Sequence, residues 1–328
     1  MNKLLAITTA AFLALPFAVA PAKAQTEIRI STAAPVVSPL TNAFNAIKTH
    51  MEAKFPGQIK VSVHAASALF RQGTELPALQ RGNVEMASPV LPELEVQLPE
   101  WGALGAAYLF RDKDHLINTF RSDIGAEFGK EVEARMGLVL LEAAYLGTRN
   151  INLRSDKQVR VPADLAGVKM RMPPGPAFQM IAQALGATAV SMPITEVYLG
   201  LKTGAIDAQD NPTNMTRDWK FQEVTQQVIL TKHLVQPVFI AIAKPFFDKL
   251  TADQQKELRA AARAAVDTQI AQTVKDEMDA IDTFRAANIK IVEPDVAAFR
   301  AAVMEQYRKN NLMDKWKPGL LARIEAVK

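Results

Sequence analysis

The sequence predicts an α/β protein of two lobes, with mixed, mostly parallel sheets flanked by helices and with the lobes joined by hinge strands. Strand-like and helix-like patterns alternate along the chain, as they do when crossover helices join parallel strands. A length of 328 residues favours about two domains. A helix-forming stretch without Gly or Pro runs from Thr251 to about Ala287 and extends roughly 50 Å at 1.5 Å per residue. This helix is therefore expected to span both lobes.

The first 24 residues resemble a secretory signal peptide. Lys3 gives a positive start, residues 4–20 are apolar, and Ala22-Lys23-Ala24 has the small-x-small pattern of a cleavage site. The apolar run is interrupted by Pro16 and is short for a membrane span. We expect cleavage after Ala24 and release into the periplasm or outside the cell.

Composition excludes several classes of function. The formal net charge is only +4, and Lys and Arg are not clustered as they are in proteins that bind nucleic acid. The chain has no Cys, which excludes disulfides and thiolate chemistry. Stability must then come from burial, and a chain of this size can bury a sufficient core.

The elements of the first lobe follow from local patterns. Ile28 and Ile30 alternate with polar residues as in a strand, and Ser38-Pro39 has the features of a helix start. Further elements are expected as a helix to residue 55, a strand at 59–63, a helix at 75–80, a helix at 124–136 and a buried strand at 138–145.

The second half of the chain repeats these patterns. Strands are expected near residues 150, 168, 188 and 206, at 237–244 and at 289–292, with a helical region at the end. Thr251 and Gln254 fit a capping box at the start of the long helix. The predicted division places residues 25–146 and 237–276 in lobe I and residues 147–236 and 277–328 in lobe II, with hinges near residues 146 and 236.

Motifs of common enzymes are missing. The sequence contains no G-x-S-x-G, no Walker A loop and no G-x-G-x-x-G after a strand. The four histidines (His50, His64, His115 and His233) do not have the spacing of zinc ligands. The carboxylates Glu93 and Glu95 are interpreted as part of a solvated face.

Three segments place polar side chains at strand ends: "YLGTRN" at 145–150, "VKMRMP" at 168–173 and "GAIDAQDNP" at 204–212. Taken singly, the arginine or asparagine in each segment is explained as an ordinary surface arginine or turn asparagine. Together, Arg149, Arg171 and Asn211 indicate carboxylate recognition, because guanidinium grips a carboxylate with two parallel hydrogen bonds and an amide can donate to it as well. Such a set binds an organic acid and performs no reaction on it.

The block "GVKMRMP…GATAVSMPITEVYLGLKTGAIDAQDNP" is similar to the periplasmic solute-binding proteins of TRAP (tripartite ATP-independent) transporters. It matches their G-x-K-x-R-x-P, G-A, P-x-x-E-x-Y-x-x-L-x-x-G and D-x-Q-(D/E)-N-P pattern in order and spacing. The resemblance covers nearly all of the chain after residue 24. It implies a two-lobed binding protein that closes on a carboxylate-bearing ligand and delivers it to a membrane permease, with no cofactor.

The resemblance also assigns residues. Arg171 corresponds to the principal carboxylate clamp, Asn211 to its second contact and Arg149 to an auxiliary cation. Asn214 and Trp219 lie just beyond and are candidates to face the ligand, although ordinary helix packing equally explains Trp219. The resemblance implies a permease partner and a monomer.

Three positions depart from the family pattern. The chain has His64 and Phe70 where the family often has Tyr and Gly, and Ala107 where it often has Pro. The ligand stays open among C4-dicarboxylates, keto acids, sugar acids and sialic-acid-like compounds. Alternative interpretations are a binding protein of another importer class, such as an ATP-driven one, and a secreted enzyme acting on organic acids.

Overall fold

The computed structural model describes residues 25–328, so the predicted signal peptide lies outside the described residues. The described strands, in chain order, are β1 (Thr26–Ser31), β2 (Ile59–His64), β3 (Met86–Ala87), β4 (Leu138–Leu153), β5 (Lys169–Met172), β6 (Thr188–Ser191), β7 (Ala208–Pro212), β8 (Gln227–Ala243) and β9 (Lys290–Val292).

Twelve α-helices lie between or after these strands in residues 25–328. They are α1 (Pro39–Lys54), α2 (Glu75–Gln80), α3 (Leu91–Glu95), α4 (Lys113–Phe120), α5 (Asp123–Met136), α6 (Pro176–Ala184), α7 (Ile194–Thr203), α8 (Thr213–Asp218), α9 (Lys244–Phe247), α10 (Ala252–Ala286), α11 (Val296–Lys309) and α12 (Leu320–Ala326). Of the described helices, none has a stretch apolar and long enough to cross a bilayer.

All nine strands belong to one mixed sheet, whose order is β2-β1-β3-β8-β4-β7-β5-β6, with β9 paired to β8. The prediction of mixed strand pairing flanked by helices is confirmed, but the expectation that most pairs are parallel fails at the centre, where β8 pairs antiparallel with β3 and β4, and β4 pairs antiparallel with β7. β4 and β8 are long, with 16 and 17 residues, and run in opposite directions beside each other along most of their length. The sequence suggested two short strands within β4 and only residues 237–244 for β8, whereas each is one long strand, and together they carry the chain between the two halves.

The predicted caps of the main helices are confirmed. Ser38 precedes α1, and its hydroxyl accepts a hydrogen bond from the Thr41 backbone N–H at 3.2 Å. Thr251 and Gln254 form the capping box of α10, with Thr251 Oγ1 accepting from Gln254 N at 3.2 Å and Gln254 Oε1 accepting from Thr251 N at 3.0 Å. These bonds satisfy backbone donors that the first helical turn leaves free.

Separate apolar clusters fill the two halves. In the first half, α1 packs Phe44 and Ile47 against β1, β2 and the early part of α10. In the second half, α6 and α11 pack around Met170 and Met172 of β5. The far end of α10 packs Phe284 against Val228 of β8. The long helix thus contacts elements of both halves, as expected.

The C-terminal segment returns to the first half of the molecule. Leu320 and Ile324 of α12 are buried in the same cluster as Trp101. On the way, the hydroxyl of Tyr307 in α11 accepts a hydrogen bond from the backbone N–H of Ala107 at 2.8 Å. The TRAP family pattern often has proline at position 107. Proline has no backbone N–H and could not make this bond.

Gly147 lies directly after a register shift in the pairing of β4 with β8, which falls between Tyr145 and Gly147. Its φ is +132°, and a Cβ atom there would lie 2.4 Å from Cβ of Pro212. The backbone of β4 can approach β7 so closely only because this position has no side chain.

We predict that Gly147→Ala lowers the free energy of unfolding by roughly 2–4 kcal/mol, because the new methyl group adds a steric clash to an unfavourable φ. Urea unfolding followed by circular dichroism measures the change. Gly129→Ala in α5 is the control, since its Cβ would meet no atom within 4 Å and alanine favours a helix by up to about 1 kcal/mol. Equal stability of the two variants would contradict the role assigned to Gly147.

Candidate functional site

Arg149 is a fully buried cation at the centre of the sheet, in β4 between β7 and β8. Its Nε and Nη2 donate to the two carboxylate oxygens of Asp210 at 2.6 and 2.7 Å, and Nη1 donates to Gln236 Oε1 at 2.7 Å. The guanidinium carbon also lies 5.3 Å from the centre of the Phe178 ring. This side chain is held in one orientation by contacts on every side.

Asp210 connects Arg149 to His233. His233 Nε2 lies 3.0 Å from Asp210 Oδ2, and its Nδ1 lies 2.8 Å from the hydroxyl of Thr231. Burial acts to raise the pKa of Asp210, but the charge and hydrogen bonds of Arg149 and a bond from His233 hold it well below its usual range. Burial lowers the pKa of His233 in spite of Asp210. At neutral pH the network therefore contains one cation, one anion and a neutral imidazole.

Arg171 lies in β5 just before the strand ends, and it is completely buried. Its Nε donates to the carbonyl oxygen of Met192 at 2.7 Å, and Nη2 donates to Gln72 Oε1 at 2.9 Å. Nη1 has no hydrogen-bond partner among the described residues. Burial, assisted by the positive charge of Arg149, lowers the pKa of Arg171 to about 9, so the group is still charged at neutral pH.

Gln72 reaches Arg171 from the loop between β2 and α2, in the first half of the chain. Its Oε1 also accepts the backbone N–H of Ile194 at 2.7 Å, at the start of α7. Nearby, an ion pair joins Arg71 of the same loop to Glu196 of α7. The two halves of the molecule are thus in contact over the end of β5, and an amide oxygen occupies the donor site formed by Arg171 and Ile194.

Asn211 lies in β7, one residue after Asp210, and is paired in register with Asn150 of β4. It is buried, and its Nδ2 donates to Gln209 Oε1 at 2.5 Å. It shares the wall of a cleft with Arg149.

Asn214 and Trp219, the two candidates assigned with less support, lie away from the cleft lining. Asn214 is buried in α8, and its Oδ1 has no partner among the described residues. Trp219 stacks on Phe221 with 6.4 Å between ring centres, in an apolar cluster below α7. Neither lines the cleft.

The cleft lies between the two halves and leaves about 50 Å³ of space for water-sized molecules. One wall carries Arg149 and Asn211 from the second half, together with the apolar side chains of Phe178 and Met215. Arg171 is not part of the lining, because Gln72 lines the cleft and contacts its Nη2.

Sequence reasoning missed the other wall, which carries Glu75 and Glu93. Burial raises the pKa of Glu75 to about 8, and the negative charge of Glu93 adds to the shift. Burial also raises the pKa of Glu93 and of Glu95 to about 7. The interpretation of Glu93 and Glu95 as a solvated face is only partly correct, because both residues have intermediate exposure and their carboxyls are buried enough for their pKa values to rise.

We predict that Glu75 and Glu93 make the unliganded protein less stable as the pH rises. Their folded-state pKa values lie above the unfolded value of about 4.3, so their stabilising contribution is present below about pH 4.3 and is lost as the pH rises through about 7 for Glu93 and about 8 for Glu75. The loss is at most about 1.4 kcal/mol per pH unit for each group. Urea unfolding between about pH 5 and pH 8 should show a shallower decline in Glu75→Gln than in the wild type. Identical slopes would contradict the assignment.

Comparison with known proteins places these features in a family. Residues 30–312 match the family described as DctP, bacterial extracellular solute-binding protein, family 7. A solved TRAP periplasmic solute-binding protein from Roseobacter denitrificans, with bound 3-deoxy-D-manno-oct-2-ulosonic acid, is 35% identical, with a TM-score of 0.89 over 93% of this chain and 100% of its own.

Two further relatives match over most of their own length. The sialic acid-binding periplasmic protein SiaP of Vibrio cholerae is 28% identical over 293 residues, covering 89% of this chain and 90% of its own. A TRAP solute-binding protein from Xanthobacter autotrophicus, solved with β-D-galacturonate, is 25% identical, with a TM-score of 0.84 over 92% of this chain and 100% of its own. The chain belongs to the bacterial extracellular solute-binding proteins of family 7, the binding subunits of TRAP transporters.

Proposed function

We propose that this protein captures a carboxylate-bearing organic acid in the periplasm and delivers it to the membrane permease of a TRAP transporter. One observation carries the proposal: two guanidinium groups, those of Arg149 and Arg171, are buried near the cleft, whereas Asp210 is the one buried carboxylate bonded to either of them among the described residues. A buried cation without a counter-ion is costly. A ligand carboxylate would supply the missing negative charge.

The partners of Arg171 indicate where that carboxylate binds. In our proposal it replaces the amide oxygen of Gln72 at Nη2 and accepts a second hydrogen bond from the unpartnered Nη1. This gives the bidentate geometry that guanidinium favours. Asn211 and Arg149 on the same wall would support it, with Arg149 fixed by Asp210. Asn214 and Trp219 would act behind the cleft as packing residues.

Domain closure would bury the ligand. From the sequence we propose one lobe of residues 25–146 with 237–276 and another of residues 147–236 with 277–328. The packing of α12 modifies this division, because it favours assigning residues 320–326 to the first lobe. Leu146 and Gln236 line the cleft near the proposed hinges in β4 and β8. Bending there would move Gln72, and the loop that carries it, towards or away from Arg171. Closure lowers the local dielectric and strengthens the ion pair.

The relatives support the ligand class and the transport role. The solved proteins from Roseobacter denitrificans and Xanthobacter autotrophicus each contain a bound sugar acid. The relative from Vibrio cholerae binds sialic acid. Each of these compounds carries a carboxylate. We infer that this chain acts as a monomer, that its macromolecular partner is the permease, and that it needs neither a cofactor nor nucleic acid.

We predict that Arg171→Ala weakens binding of the cognate acid by tens to thousands of times, since loss of one partner of a buried charge pair costs roughly 2–5 kcal/mol. Arg171→Lys should also bind poorly, because an ammonium group cannot supply the planar fork. Isothermal titration calorimetry with an acid found by a thermal-shift screen measures both effects.

Arg285→Ala is the matched control, because Arg285 is an exposed arginine of α10 with 65% of its side chain accessible. It should leave the affinity unchanged. If the two Arg171 variants fold and bind as tightly as this control, Arg171 does not hold the ligand carboxylate.

A further inference from the structure

The first part of β4 has one edge that no strand covers. β7 pairs with β4 only from Arg149 to Leu153, so residues 138–148 pair with β8 alone among the described strands. A strand edge without a neighbour leaves backbone N–H and C=O groups that need other partners. Side chains of α10 provide two of these partners.

Gln269 and Glu277 are the residues of α10 that bond to this edge. Gln269 Nε2 donates to the carbonyl oxygen of Tyr145 at 2.8 Å. Glu277 Oε1 accepts the backbone N–H of Thr148 at 2.7 Å, and Oε2 accepts the hydroxyl of Tyr145 at 2.6 Å. The hydroxyls of Tyr145 and Thr148 also lie 2.7 Å apart. These four residues are called the hinge cluster.

The hinge cluster lies where the chain passes between the two halves. The proposed hinge of β4 is near residue 146, so Tyr145 precedes it and Thr148 follows it. In the proposed division, α10 passes from the first lobe to the second at Glu277. The backbone carbonyl of Glu277 also accepts the hydroxyl of Thr213 at 3.0 Å, at the start of α8 in the second half. The carboxylate of Glu277 thus bonds to β4 on both sides of the hinge.

The hinge cluster is separate from the cleft. The described residues that line the cleft include Leu146 and Arg149 of β4 but no member of the hinge cluster. Side chains of a strand point alternately to the two faces of a sheet, so Tyr145 and Thr148 lie on the face opposite the cleft. Substitutions in the hinge cluster therefore remove no group that faces the ligand.

One carboxylate can hold both donors of β4 only over a limited range of hinge angles. Rotation of one half against the other changes the separation of the Tyr145 hydroxyl and the Thr148 N–H, because the bend lies between these residues. Burial raises the pKa of Glu277, and the two bonds oppose that shift. Loss of either bond leaves a partly buried carboxylate with fewer donors, which is costly. The complete cluster therefore favours the observed arrangement, in which Gln72 of the first half contacts Arg171 of the second.

We infer that the hinge cluster positions the two halves in contact and slows the escape of a bound ligand. Its members are positioning residues, since they act through the hinge and touch no part of the ligand. The inference rests on the proposed function, in which closure of the halves retains an organic acid. It adds that the affinity depends on residues on the opposite face of the sheet as well as on the cleft.

Kinetic measurements on two conservative variants test the inference. Tyr145→Phe removes one hydroxyl, and Glu277→Gln exchanges one acceptor oxygen for a donor. Each should raise the dissociation rate constant of the ligand by about 3- to 30-fold, the effect expected for the loss of one hydrogen bond. The association rate constant should change by less than about twofold, because the acid first docks on the open form. A lower stability of the fold would not produce a change confined to dissociation.

The probes are succinate, pyruvate, D-galacturonate and N-acetylneuraminate, one from each class of acid that the sequence leaves open. The acid that binds the wild type most tightly is used, and stopped-flow fluorescence measures both rate constants. Asp279→Asn is the matched control, because it removes the same charge from α10 at a position with 47% of the side chain accessible. It should leave both rate constants unchanged.

The two variants also test each other. The double variant Tyr145→Phe/Glu277→Gln should have a smaller effect than the product of the two single effects, because both changes break the same hydrogen bond. Effects that multiply in full would overturn the action of the cluster as a unit. If one single variant fails to fold, the dissociation rate constant of the other decides.

A distance measurement reports the arrangement of the halves directly. The chain has no Cys, so Asn45→Cys in α1 and Lys202→Cys in α7 give one pair of exposed attachment sites for spin labels. Pulsed electron paramagnetic resonance with saturating acid should show a larger share of long distances in Tyr145→Phe and Glu277→Gln than in the wild type.

Two results overturn the inference. One is a dissociation rate constant in both variants equal to that of the Asp279→Asn control, and the other is a distance distribution equal to that of the wild type. Failure of the proposed function gives a different result, in which none of the four acids binds the wild type. The distances in the unliganded protein then decide on the hinge cluster, and distributions that the substitutions leave unchanged overturn its role.

Discussion

The ion pair between Arg149 and Asp210 is the interaction on which the arrangement of the cleft depends. It is fully buried, and it joins β4 to β7, while His233 and Gln236 tie it to β8. Removing one partner of such a pair leaves a buried charge without compensation and costs about 3–5 kcal/mol. The strand ends that carry the cationic wall of the cleft are therefore fixed relative to one another before any ligand arrives. A preorganised site of this kind loses little conformational entropy on binding.

The charges around the cleft are arranged asymmetrically. The second half of the chain contributes guanidinium groups and the amide of Asn211, and the first half contributes the carboxyls of Glu75 and Glu93. A molecule with one anionic end meets cationic and amide donors in one orientation and, in the other, carboxyls whose raised pKa values leave Glu75 largely uncharged at neutral pH. The cleft can therefore fix the direction in which a ligand lies, as well as its identity, and closure of the two halves would bring both walls onto it together.

Much of this could be predicted from sequence, and the exceptions have physical causes. The arginines and Asn211 follow apolar strands, so local pattern and the family block were sufficient to find them. The true lengths of β4 and β8 were hidden because register shifts interrupt the alternation of side chains, as between Tyr145 and Gly147. Glu75 and Glu93 stand at the beginning of short helices, where acidic residues are ordinary. Their burial is created by segments distant in the chain, and no local pattern reports it.

The contact of Gln72 with Arg171 and Ile194 has a consequence for affinity. An acceptor attached to the protein itself competes with the ligand for the same donors, and it does so at a fixed effective concentration that dilution cannot reduce. The observed dissociation constant is then the intrinsic one divided by the fraction of molecules in which Gln72 has withdrawn. The side chain at position 72 thus sets a threshold: an acid must outcompete an internal amide before it is retained, and substitutions there could tune affinity without altering any group that touches the bound acid.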